Sequence, residues 1–181
     1  MRVLEQLIDQ DSAFPLVNEW IVAAGDSCRI LPPSDKRGGV LTALQVTTHS
    51  TLGAIAYETG GLLIEHGWLR LLGSGHDLLN RDIASWNEGR SSGYLLVADD
   101  VLGGFFAING GGLGKDAGDL YYWAPDSLKW EPLEIGYSDF VQWTLTKNLA
   151  TFYADFRWQG WEQEVQAVHG DQCFSFYPML W

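Results

Sequence analysis

The sequence predicts one α+β domain, with a mixed or largely antiparallel sheet flanked by helices. Three observations carry this. Between Gly93 and Phe140, four apolar runs (YLLVA, GFFAI, DLYYWA and LKWEPL) are separated by gaps rich in Gly, Asp, Asn or Pro, the pattern of two successive β-hairpins feeding a helix. Apolar residues at intervals of three and four mark helices on both sides of that segment. No internal repeat, low-complexity run or long linker interrupts the 181 residues, so 1–181 reads as a single domain able to bury about two-thirds of the surface its unfolded chain exposes.

From the N-terminus, Leu4, Leu7 and Ile8 predict a short amphipathic helix. Ser12 can cap a second, with Pro15 in its first turn, Leu16, Val17, Trp20, Ile21 and Ala24 on one face, and Gly25 as a left-handed stop. CRIL reads as a strand closed by Pro32 and Pro33, and SDKRGG as a polar loop. GVLTALQVTTHS fits either strand or helix, because its end is β-branched while Leu41, Leu44 and Gln45 can share a helical turn. TLGAIAYET is a short helix capped by Ser50 and closed by Gly60-Gly61. LLIEHGWLRLLG is a strand pair or one bent strand broken at Gly67, followed by a long loop with a helical turn at DIASWNE.

After the hairpins, Ser138 can cap a long helix reaching Trp158, its stripe formed by Val141, Leu145, Leu149, Phe152 and Phe156. WEQEVQAVHG predicts a last short helix, and QCFSFYPMLW a terminal strand or packed tail.

Composition narrows the function classes. The formal charge of −12, from 23 acids against 11 bases, disfavours bare nucleic acid and an anionic leaflet, and suits solubility or a basic partner. Nine Trp, seven Tyr and eight Phe are unusual; they build a core and, where exposed, supply interface anchors. Cys28 and Cys173 have no metal-like spacing and suggest a reducing compartment. Without an apolar leader or an 18-residue uncharged apolar window, the expected address is the cytoplasm.

No motif for catalysis stands out. The NGGGLGKDAG loop departs from a phosphate-binding loop at Asn109, where a glycine belongs, and at Asp116, where a hydroxyl should hold magnesium. Asp99, Asp100, Asp116 and Asp119 could meet at one edge of the hairpins and hold calcium, but lack EF-hand spacing. His66 and His76 could share zinc, yet no HExxH or His-x-His pair occurs. Ser74 lies between glycines without matching GxSxG. The expectation is no cofactor, no metal and no catalytic residue.

The order TGGLLIEHGWLRLLG, a loop with Trp86-Asn87, GYLLVADDVLGGFFAI, GDLYYWA and GYSDFVQWTL resembles the SUKH superfamily, which includes fungal cell-wall regulators and many bacterial immunity proteins. In that pattern a helix ends at Gly60-Gly61, a hairpin arm runs Gly104 to Ile108, the next arm spans Tyr121 to Trp123, and a helix opens at Ser138 to Phe140. The match covers roughly 50–145; the long glycine loop and the FSFYPMLW ending depart from it. The chain also resembles an uncharacterised bacterial family.

The resemblance implies binding rather than catalysis, as immunity proteins neutralise toxins by direct contact. The charge distribution is compatible: from Asp99 to Asp139 there are eight acids and two bases. Acids around exposed aromatics would steer a basic partner in and then anchor it. The candidate partner-binding residues are therefore Asp99, Asp100, Asp116, Asp119, Tyr122, Trp130 and Glu131. Two rivals remain: a ligand pocket or enzyme site near Gly75 to Gly93, built on His76, Asp77 and Arg81, and self-association through a strand edge or the C-terminal tail.

Overall fold

The computed structural model describes residues 1–180. Seven strands form one sheet in chain order: β1 (Cys28–Leu31), β2 (Gly61–Ile64), β3 (Leu69–Leu72), β4 (Tyr94–Asp100), β5 (Phe105–Asn109), β6 (Asp119–Ala124) and β7 (Lys129–Gly136). Every neighbouring pair is antiparallel, so the sheet is a meander. Among the described residues there are eight α-helices: α1 (Leu4–Leu7), α2 (Phe14–Ala24), α3 (Arg37–Leu44), α4 (Thr51–Glu58), α5 (Ile83–Asn87), α6 (Tyr137–Thr144), α7 (Lys147–Phe152) and α8 (Trp161–Ala167). The fold is α+β, as the sequence predicts.

Residues directly opposite in antiparallel strands share a face. The register therefore places Ile30, Leu62, Leu71, Ala98, Phe106, Tyr122 and Glu131 in one row across all seven strands. All but the two edge residues of this row are buried. Helices cover it: Phe140 of α6 packs on Phe106 with ring centroids 4.9 Å apart, and Ile55 of α4 with Val17 and Ile21 of α2 joins the same core. Adjacent to it, on the opposite face, runs Arg29, Leu63, Arg70, Asp99, Phe105, Trp123 and Trp130. That second row is polar at one end and aromatic at the other.

A bulge at Val97 makes the second row possible. Leu96 pairs with Ala107 and Ala98 with Phe106, so Val97 is an extra residue and the alternation of β4 shifts by one. Leu96 and Asp99, three apart in sequence, thus look out of the same face.

Several local expectations resolve. GVLTAL is helical, ending at Gln45 in the left-handed region (φ 56°). LLIEHGWLRLLG is a hairpin whose turn holds Glu65, His66 and Gly67 at positive φ. Ser50 caps α4 by accepting the Gly53 N–H at 3.1 Å, and Asp82 caps α5 through the N–H groups of Ala84 and Ser85. Gly25 stops α2 with a positive φ of 63°, although its ψ of −137° lies outside the left-handed helical region.

The single long helix after Ser138 is a correction. The chain breaks into α6 and α7 because the Thr146 hydroxyl accepts the Asn148 N–H at 3.3 Å and starts a new helix. Ser138 is not the cap either; Gly136 precedes the helix, and the Ser138 hydroxyl meets that of Thr51 at 2.8 Å. Val141, Leu145 and Leu149 are buried as the stripe predicts, but Phe152 is 38% exposed, lying edge-on to Tyr122 and Trp143. The C-terminal segment is a packed tail: the Phe174 N–H donates to the Val101 carbonyl, and the Phe174 and Phe176 rings meet Trp158.

Candidate functional site

Two adjacent carboxylates at the end of β4 organise the two faces of the sheet, Asp100 on the core side and Asp99 on the second face. Asp100 accepts four hydrogen bonds: the N–H groups of Leu102 (2.9 Å) and Gly104 (2.8 Å) on Oδ1, and the hydroxyls of Tyr122 (2.7 Å) and Tyr153 (2.8 Å) on Oδ2. Burial raises its pKa, and those donors oppose the shift. The same carboxylate raises the pKa of both tyrosines beyond what their burial does, so they remain donors. The site demands Gly104, because a Cβ there would stand 2.4 Å from Asp100 Oδ2 and 2.5 Å from the Tyr122 ring.

Asp99 points to the other face and holds two guanidiniums. Arg70 donates from Nε at 2.7 Å and Arg81 from Nη2. Burial pushes the Asp99 carboxyl up, while the Arg70 and Arg81 charges pull it back. Arg70 Nη2 also donates to the Asp100 and Gln172 carbonyls, and Arg81 Nη1 to Asp171 at 3.3 Å. Arg81 further stacks on Trp86, 4.8 Å from the ring centroid. The loop before α5 and the C-terminal tail are thereby both fastened to the sheet.

These contacts correct the acidic hairpin face. Asp99 and Asp100 are 4% and 0% exposed, and Tyr122 is 6% exposed, so none of the three is available to a partner. The physical reason is that β4 extends two residues beyond the apolar run and carries both acids inside, where arginine and tyrosine donors satisfy them. Asp116 is exposed and Asp119 half-buried, at the other end of the hairpins. The four aspartates do not converge, and among the described residues no group of three or more His, Cys, Asp or Glu could hold a metal. Glu131 is exposed and accepts the Ser127 hydroxyl at 2.8 Å.

The glycine loop is organised inward. Asn109, 1% exposed, accepts the N–H groups of Gly111 and Leu113 on Oδ1 and donates to the carbonyls of Gly114 and Asp116. The Gly110 and Gly112 N–H groups both donate to the Gly93 carbonyl, so the amides of the glycine run from Gly110 to Leu113 are all engaged within the protein. The sequence signal was present: a polar residue opening a glycine run suits an Asx turn.

Of the predicted residues, Trp130 sits in a surface cluster that sequence spacing did not assemble. Its ring lies 5.3 Å from Tyr94 and 5.6 Å from Trp123, and Phe105 is the cross-strand neighbour of Trp123. Trp86 and Arg90 border the same shallow cavity, with the Arg90 guanidinium 4.3 Å over the Trp86 ring. All four sheet aromatics are half-buried rather than covered.

The three residues expected to build the rival site near Gly75 to Gly93 turn to separate surroundings. His76 Nδ1 accepts the Leu78 N–H within its own turn, Asp77 is exposed, and Arg81 turns to Asp99. His66 does not meet His76; its Nδ1 lies 2.6 Å from Gln166 Nε2, and its ring contacts Trp161.

Over residues 4–181 the chain matches the family described as protein of unknown function DUF2625, and it belongs to that family. It is 47% identical to the uncharacterised protein YbfG of Escherichia coli strain K12, over 100% of this chain and 86% of the relative. It is 40% identical to an uncharacterised protein of Haemophilus influenzae strain Rd, over 99% of this chain and 83% of the relative. No solved structure matches. No helix among the described residues is long and apolar enough to cross a membrane.

Proposed function

We propose that this DUF2625 member is a non-enzymatic, cytoplasmic protein-binding domain of the SUKH type, acting as immunity proteins do by direct contact with a basic, toxin-like partner. One observation carries the reading: Phe105, Trp123 and Trp130 stand opposite one another across three strands and remain half-exposed, beside Tyr94 and Arg90. Trp, Tyr and Arg are the residues that dominate binding energy at interfaces. The protein's net charge of −12 would speed the approach of a cationic partner, and Asp116 and Glu131 remain exposed to contribute. Asp99, Asp100 and Tyr122 are withdrawn from the proposed surface.

The test is co-purification with the product of the neighbouring coding region, using the native chain, Trp130→Ser and the double variant Asp116→Lys with Glu131→Lys. A basic partner held at fixed stoichiometry, lost with Trp130→Ser and captured more slowly by the charge-reversed chain, supports the reading. Retention indifferent to Trp130→Ser removes the aromatic face from it, and failure to retain any basic protein sinks it.

A further inference from the structure

We propose that the polar end of the second face is a binding site for a small, singly charged organic carboxylate, separate from the aromatic end. The site is a cavity of about 400 Å³ floored by Arg29, Leu63 and Arg70, which are consecutive members of the cross-strand row. Its size falls within the range of small-molecule pockets. Leu78 and Val168 add apolar wall, and His66 and Gln166 close one side.

Two guanidiniums with spare donors meet here. Arg70 is 3% exposed; its Nε and Nη2 are engaged, and Nη1 has no hydrogen-bond partner among the described residues. Arg29 is exposed and has neither an ion pair nor a hydrogen bond among those residues. In a protein with only 11 lysines and arginines, two uncommitted guanidinium edges on one cavity form an anion-selective feature. They stand two strands apart, about 10 Å, with Leu63 between them, so a ligand lying over Leu63 can reach both. A planar carboxylate matches the free guanidinium fork of Arg29, with Arg70 Nη1 as a further donor.

The remaining polar groups set the charge. His66 Nδ1 faces the Gln166 amide, which leaves Nε2–H as a further donor in the neutral ring. His169 is committed, its Nε2 donating to the Asp77 carbonyl at 2.8 Å while Nδ1 accepts the Asp171 N–H. Asp26 lies on the rim and would repel a dianion. A monoanion that sets its carboxylate between the Arg29 and Arg70 guanidiniums and its apolar body against Leu78 and Val168 meets less repulsion from Asp26 than phosphate does.

The experiment is calorimetric titration of the full chain with 4-methylpentanoate, its neutral amide 4-methylpentanamide, and inorganic phosphate, repeated on Arg29→Gln. Arg29 makes no contact the fold depends on, so the variant should unfold at the native temperature. The expected result is saturable binding of the carboxylate, weakened about tenfold or more by Arg29→Gln, with no saturation by the amide or phosphate. Proton spectra should show the His66 ring shifting on addition of the carboxylate. Equal binding of acid and amide, preference for phosphate, indifference to Arg29→Gln, or no saturation by the carboxylate up to about 10 mM each overturns the proposal.

Discussion

The Tyr153 hydroxyl donates to Asp100 Oδ2 at 2.8 Å, joining the end of α7 to the β4–β5 turn across 53 residues of chain. Tyr122 reaches the same oxygen from β6, so one carboxylate oxygen ties together three segments of the fold. Buried polar groups in such a network are costly to leave unpaired.

Asp100→Ala should therefore destabilise the protein by about 3 kcal/mol, because it orphans two tyrosine hydroxyls and two backbone N–H groups. Urea denaturation measures this directly. A loss below about 1 kcal/mol would mean that the four hydrogen bonds contribute little.

Two tyrosine substitutions should behave oppositely. Tyr153→Phe removes a donor from a buried carboxylate and should cost about 1.5–3 kcal/mol. Tyr137 is also buried, but its hydroxyl has no hydrogen-bond partner among the described residues. Tyr137→Phe removes an unsatisfied polar atom and should leave stability unchanged or raise it by about 1 kcal/mol. Thermal unfolding of both variants checks the ordering.

Asp99→Ala strips the counter-charge from buried Arg70 and leaves half-buried Arg81 with Asp171 alone, and should cost about 3–5 kcal/mol. Arg81→Ala should cost less, since Asp99 keeps Arg70 at 2.7 Å. Finding the two losses equal would show that Arg81, not Arg70, is the partner that matters.

Gly104→Ala should destabilise by about 2–3 kcal/mol, because the added methyl meets Asp100 and Tyr122, neither of which can retreat without losing hydrogen bonds. Gly39→Ala, where a Cβ meets nothing within 4 Å, is the control and should be neutral or stabilising.

Alkaline pH should reveal Cys28. Burial pushes its thiol from 9.0 up to about 12, so between those values the unfolded chain releases a proton that the folded chain keeps. This contribution is complete below pH 9 and is lost as pH rises, by up to about 1.4 kcal/mol per unit. Between about pH 8 and 10, the native protein should lose about 1 kcal/mol more than Cys28→Ala does in matched urea titrations. Parallel losses in the two proteins would contradict it.

Much of this architecture was legible in the chain. The two hairpins, the Ser50 cap and the packing of Val141, Leu145 and Leu149 all follow from local alternation, capping chemistry and three-four spacing. The long helix was misread because Thr146 can open a helix as readily as sit within one. The acidic face was misread because Asp99 and Asp100 follow a run of strand residues and precede Val101-Leu102-Gly103-Gly104, where turn acids are ordinary.

By itself the sequence determined the order and type of most elements, the α+β class and the net negative charge, since each depends on neighbours within a few residues. Only the tertiary structure decided which side chains share a face. That outcome rests on the Val97 bulge and on the register of strands far apart in sequence, where a slip of one residue turns a whole strand over. Burial of the Asp99–Arg70 pair, the gathering of Trp123 with Trp130 and Tyr94, and the cavity between Arg29 and Arg70 all follow from that register. No local pattern encodes it.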